Sequence, residues 1–179
     1  ASWSRGLGDV YKRQILIYGV SLVYVSFSVF SVYNFALGIA YVGPDSVPLT
    51  TSIGVLLIFI GLLFKIAAAP FQSWAPDVYQ GSPTGYVGFM SSIAKVSSFI
   101  VIARLCLVSI NFIIEDFNIF FLIVIISSAL IGSLFASIQE DLKRLLAYSG
   151  VVQSGFILSG IVSGICLLYT SDAADESVS

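Results

Sequence analysis

Apolar stretches of membrane-spanning length follow one another along almost the whole chain, from Ile15 to Leu168. No water is present in hydrocarbon to pair a backbone N–H or C=O, so each stretch has to be a helix or a strand of a closed barrel. The runs are too continuous, and too rich in leucine and isoleucine, for barrel strands of about ten alternating residues. A helix crosses the hydrocarbon core in about 20 residues, which divides the chain into about five spans. These are Ile15 to Ala40 (ending early near Tyr33 and Asn34), Leu49 to Trp74, Thr84 to Ser109, Phe117 to Ile138, and Leu145 to Leu168. Between them lie the turns VGPDSVP (Val42 to Pro48) and APDVYQGSP (Ala75 to Pro83), an acidic loop holding Glu115 and Asp116, and QEDLKR (Gln139 to Arg144). The expected fold is an all-α, multi-pass integral membrane protein with one helix broken near Pro70.

Composition agrees, with 58% hydrophobic and 10% charged residues, where soluble domains carry about 25% charge. A net charge of −2 without a basic run gives no nucleic-acid partner. Histidine is absent, which removes the commonest metal ligand and the usual proton shuttle near neutral pH. Cys106 and Cys166 form neither a metal-site spacing nor a disulfide framework, so no metal site is expected. There is no Gly-rich phosphate loop, carboxylate pair or nucleophile triad.

The two ends differ from the middle. Residues 1–14 (ASWSRGLGDVYKRQ) are polar and stop abruptly at an apolar run, and residues 166–179 (CLLYTSDAADESVS) break off the last helix and turn acidic. GDVYKRQ and LLYTSDAADE look like translated adapter sequence, so 1–14 and 166–179 are expected to be non-native ends flanking a membrane domain at 15–165.

Within the spans, two lysines stand out. A charged amine at the bilayer centre costs about 3 kcal/mol or more, so its default reading is functional. Pro70 lacks an N–H and its ring clashes with the carbonyl of Ile66, so the second helix should unwind just after Lys65. Broken helices beside ionisable groups are how transporters build ion sites at the membrane midplane. Measured along a continuous helix at about 1.5 Å per residue, Lys65 would sit roughly 13 Å from Trp74, too deep to snorkel. Lys95 lies near the middle of the third span, with Ser91, Ser92 and Ser98 at helical spacings that put hydroxyls on its face. Burial brings the charged and neutral amine closer in free energy, the condition for loading and releasing a proton.

The remaining polar groups are less specific. Lys143 opens the fifth span, either as a topology signal or as part of a pathway. Gln153 lies deeper on the same helix, near Tyr148 and Ser149. Asp77 is expected to face headgroups or a partner subunit, and Trp74 and Tyr79 an interfacial aromatic belt. Ser128, Gly132 and Ala136, and likewise Gly160 and Gly164, recur every four residues as close-packing faces.

FKIAAAPFQSWAPDVYQGSPT, SSIAKVSSF and DLKRLLAYSGVVQSGF closely resemble the antiporter-like subunit N of bacterial NADH:quinone oxidoreductase, respiratory complex I. The resemblance runs from about Ile15 to Ile165, and W-x-PDVY-x-G-x-PT is its most specific motif. It implies part of a fold built from inverted repeats, in a bacterial inner (plasma) membrane. Protons would move through buried lysines and water. Lys65 matches the family's key lysine on the broken helix, Lys95 its connecting lysine, and Lys143 to Ser149 its KRLLAYS segment. Gln72 and Gln153 stand where the family commonly has histidines, so a relay here would use water, serine and lysine, with Gln72, Gln153, Tyr148 and the three serines lining it. The resemblance further implies no cofactor in this chain, other complex I membrane subunits and the lipid bilayer as partners, and NADH and quinone bound elsewhere. The alternative is a subunit of a cation/proton antiporter or a membrane-bound hydrogenase.

Overall fold

The structure, a computed structural model, describes residues 2–28, 34–35, 37–38, 48–108 and 114–176. Six helices are defined among the described residues: α1 (Ser2–Phe27), α2 (Leu49–Ile66), α3 (Trp74–Gly81), α4 (Thr84–Val108), α5 (Ile114–Ile138) and α6 (Leu142–Glu176). Four are long and apolar enough to cross a membrane: α2, α4, α5, and α6 over Leu142–Gly164. Helix α1 adds a shorter apolar stretch, Arg13–Phe27. There is no strand among the described residues.

The spans form where apolar length predicts them, with informative differences at their ends. The first stops at Phe27, where Ser28 turns the chain with φ 53°. The rest of that expected span, and the VGPDSVP turn up to Val47, fall mostly outside the described residues. The acidic loop is not a loop at Glu115 and Asp116. Helix α5 begins at Ile114, so both positions are helical. The last helix does not break at Cys166 but runs on to Glu176, and α1 begins at Ser2, so residues 2–14 and 166–176 are helical.

Helix α2 is central. Val55, Phe59, Leu62, Leu63 and Ile66 pack against Phe99, Ile102 and Cys106 of α4, Phe121 and Val124 of α5, and Leu158 of α6. Phe59 meets Phe121 edge to face with ring centroids 5.1 Å apart. Lipid tails are as apolar as these side chains, so contact geometry rather than escape from water has to favour the packed state. Small residues supply that geometry at two contacts. A Cβ on Gly19 of α1 would lie 2.7 Å from the Gly54 carbonyl of α2. One on Gly132 of α5 would lie 2.6 Å from Val152 Cγ2 and 3.2 Å from the Val152 nitrogen of α6. Ser128 and Gly132 therefore do form a close-packing face, whereas Gly160 and Gly164 have open space around them among the described residues.

Gly132→Leu should force α5 and α6 apart at a cost of about 1–3 kcal/mol or more. Thermal unfolding of the full-length subunit in detergent should move to lower temperature, and an unchanged midpoint would show that this contact does not hold the helix pair together.

Candidate functional site

The site grows from the end of α2. Its last residue, Ile66, follows Lys65 directly, and Ala67 takes a left-handed conformation (φ 57°, ψ 39°). The Ala68 N–H donates to Leu63 O at 3.1 Å and the Ala67 N–H to Phe64 O at 3.2 Å. This is a paired helix stop in which alanine occupies the position glycine usually takes. The expected unwinding after Lys65 is thus observed, one residue beyond the lysine and before Pro70.

Breaking a helix in apolar surroundings leaves backbone groups to be paired. Serines on neighbouring helices do this. Ser128 Oγ of α5 accepts the Ala69 N–H at 3.0 Å and donates to Val124 O at 2.7 Å. Ser127 Oγ, 3.4 Å from Ala69 O, makes a weaker contact. Ser154 Oγ of α6 lies 3.2 Å from Ile66 O, the carbonyl that Pro70 leaves without its helical donor. The Trp74 indole N–H donates to Phe64 O at 2.9 Å. The loop itself is methyl-lined, with Ala67, Ala68 and Ala69 fully buried.

That indole bond corrects the depth estimate for Lys65. The chain folds back after Ile66, so Trp74 returns beside Phe64 instead of continuing along one helical axis. Lys65 itself is exposed on the surface of this chain. Pro70 is exposed as well, while its neighbours on the amino-terminal side are buried.

Lys95 is the opposite case, buried at 9% exposure on α4. Its Nζ donates to the Gly150 carbonyl of α6 at 3.0 Å. A Cβ on Gly150 would lie 2.7 Å from that Nζ, so the amine occupies the space a side chain would take. Ser98 is buried near it, but Ser91 is half-buried and Ser92 exposed, so the three serines are not one buried stripe. Each donates to its own helix: Ser91 and Ser92 to Gly88 O, and Ser98 to Ala94 O. Gln153 is exposed, and Tyr148 stacks on Phe135 at 5.6 Å. Gln72 is half-buried, and its Oε1 is enclosed without a hydrogen-bond partner among the described residues.

A second polar cluster joins α3 to the start of α6. Lys143 Nζ donates to Ser82 O at 3.0 Å, placing a cation at the carbonyl end of α3. Arg144 reaches Gln80 Oε1 at 2.7 Å and Asp77 Oδ1 at 3.0 Å, and Gln80 donates to Asp141 Oδ2 at 2.9 Å. Asp77 therefore has a partner in its own chain rather than only headgroups or another subunit. The pair is exposed, at 37% and 64%, and an exposed ion pair contributes little by itself. Tyr79 lies under this cluster, buried against Val87 and Ala147 instead of on an aromatic belt. Burial pushes its phenol above the usual tyrosine range. Where a turn was expected at Ala75 to Pro83, α3 has formed.

Gly150 and Ser154 were not singled out from the sequence. Their four-residue spacing on one helix was the available signal, the same one that drew attention to Gly160 and Gly164. Among the described residues no group of three His, Cys, Asp or Glu side chains converges as a metal site.

A helix broken beside a lysine, clamped by neighbouring helices and packed near a second, buried lysine, defines a helical membrane protein of the antiporter-like class. The family model described as NADH:quinone oxidoreductase/Mrp antiporter, TM, matches residues 7–171, and the chain belongs to that family. NADH-quinone oxidoreductase subunit N of Desulforamulus reducens is 40% identical over 149 residues, covering 83% of this chain and 31% of the relative. NAD(P)H-quinone oxidoreductase subunit 2 of the Mesostigma viride chloroplast is 37% identical over 161 residues, covering 89% and 32%. A chain of respiratory complex I from Thermus thermophilus superimposes with TM-score 0.69 at 29% identity, over 87% of this chain and 32% of that one. A chain of the archaeal membrane-bound sulfane sulfur reductase, at TM-score 0.73 and 22% identity, covers 85% and 31% and shares the fold. The chain spans about a third of the length of these relatives.

The Lys143 contact can be tested by hydrogen exchange. Lys143→Met in the full-length subunit should speed amide exchange across residues 74–82 by about fivefold to tenfold, as loss of one charge-assisted hydrogen bond implies. Lys143→Arg should keep most of the protection. Equal exchange in the wild type and Lys143→Met would show that this amine does not anchor α3.

Proposed function

We propose that this chain is part of a proton-translocating membrane subunit of an NADH:quinone oxidoreductase similar to subunit N, in a bacterial plasma membrane. The observation that carries this reading is the buried Lys95 amine held on a carbonyl of α6 beside the broken end of the lysine-bearing α2. Family membership and the printed names of the relatives support it.

In this reading Lys65 and Lys95 take up and release protons in turn, with water between them. Titrating groups that interact do so as a coupled set, so a charge change at one lysine alters the other. Pro70 keeps Lys65 at a helix end, where the backbone can rearrange at modest cost. Ser91, Ser92, Ser98, Gln72, Gln153 and Tyr148 would line the route, and Lys143 would stand at its polar margin. The exposed side of α2 carrying Lys65 is where the rest of the full-length protein would cover it. The chain would carry no redox centre and no cofactor, so its part in the enzyme is ion movement. NADH and quinone would be bound by other subunits, and the partners of this one would be neighbouring membrane subunits and lipid.

In the assembled complex, Lys65→Ala and Lys95→Ala should each lower proton pumping about tenfold or more, with quinone reduction falling alongside it, in the range of lost proton-transfer groups. Dye quenching in membrane vesicles reports the gradient, and NADH oxidation reports turnover. Wild-type values for both variants in a fully assembled complex would overturn the reading. Cation-driven proton exchange without quinone reduction would transfer the chain to a stand-alone antiporter.

A further inference from the structure

One carbonyl at the centre of the bundle has more donors than it can serve. Gly150 O accepts Lys95 Nζ at 3.0 Å and Ser154 Oγ at 2.7 Å. It also faces the Ser154 N–H four residues on, in the regular bonding of α6. A carbonyl oxygen has two lone pairs. Three donors therefore compete, and the helical N–H is held in place by its own backbone. The amine and the hydroxyl are left to contend for what remains.

The hydroxyl has an alternative. Ser154 Oγ also lies 3.2 Å from Ile66 O, at the end of the helix that carries Lys65. A hydroxyl has a single proton, so it donates fully to one acceptor at a time. With Lys95 charged, the amine is the stronger donor at Gly150 O, as bonds from ionised groups are. The hydroxyl then turns to Ile66 O and pairs the broken end of α2. With Lys95 neutral, Gly150 O is open to the hydroxyl at the shorter distance, and the Ile66 carbonyl loses its donor. The change is a rotation about one C–O bond, in which no proton changes atoms.

We infer that Gly150 and Ser154 are positioning residues, through which the charge on Lys95 sets the hydrogen bonding at the helix end next to Lys65. The inference rests on the proton-translocating reading and adds to it a physical link between the two lysines. Gly150 has its place in the link because it lacks a side chain. A methyl group there would meet the tip of a flexible lysine, so the bundle can keep its fold while the amine is displaced. Ser154, at 1% exposure, has no solvent to replace either partner.

The test uses the full-length subunit in its assembled complex, with the rate of proton pumping measured in vesicles. Ser154→Ala and Ser154→Val should each lower that rate roughly fivefold, the scale of one hydrogen bond, while Ser154→Thr keeps it within about twofold. Gly150→Ala should assemble normally and lower the rate by a similar factor. In a Lys95→Ala background, Ser154→Ala should have no further effect, because the hydroxyl acts through the amine. Equal loss in Ser154→Thr and Ser154→Val, wild-type pumping in Ser154→Ala or Gly150→Ala, or additive losses with Lys95→Ala would overturn the link. Wild-type pumping by Lys95→Ala alone would instead remove Lys95 from translocation, a different failure recognisable from the single variant.

Discussion

Pairing every backbone group away from water is the constraint on which this structure turns. An unbroken helix satisfies it internally. The chain gives that up at Ile66, where α2 stops in the middle of the packed bundle, and the cost is met by side chains from other helices. Ser128 takes the Ala69 N–H, Ser154 approaches the Ile66 carbonyl, and Trp74 caps Phe64 O. These bonds tie α5, α6 and the return loop to one point. The helix break is thus a junction of the fold as well as a feature of α2.

The two lysines read from the sequence as similar are physically unlike. Lys95 is enclosed and hydrogen-bonded within the described residues, so its surroundings are those of this chain. Lys65 points out of it, on the exposed side of α2. Helices α1, α2, α4, α5 and α6 each leave large apolar side chains exposed, α4 and α5 conspicuously so.

Much of the fold was legible because membrane helices announce themselves by apolar length. The bounds of α4 and α5 lie close to those expected, and Pro70 with Lys65 marked the break. What was not legible depended on neighbours. The depth of Lys65 was judged along a straight axis, and only the Trp74 to Phe64 bond reveals the fold-back. Asp77 found Arg144 far along the sequence, which spacing cannot show. Ser91, Ser92 and Ser98 shared a helical face with Lys95 on paper, yet each bonds its own helix, the local competition usual for serine. Gly150 and Ser154 looked like any small pair until the amine was seen lying against one of them.

The three alanines after Ile66 have a consequence of their own. Ala67, Ala68 and Ala69 are completely enclosed, so the width of the gap between α2, α5 and α6 is set by methyl groups. At that width Ser128 and Ser154 are within reach of the loop backbone. Any bulkier residue would act as a spacer, lengthening hydrogen bonds whose donors and acceptors it never touches. Residue volume in this loop thus governs polarity at its walls, and a purely apolar substitution here would be felt as an electrostatic one.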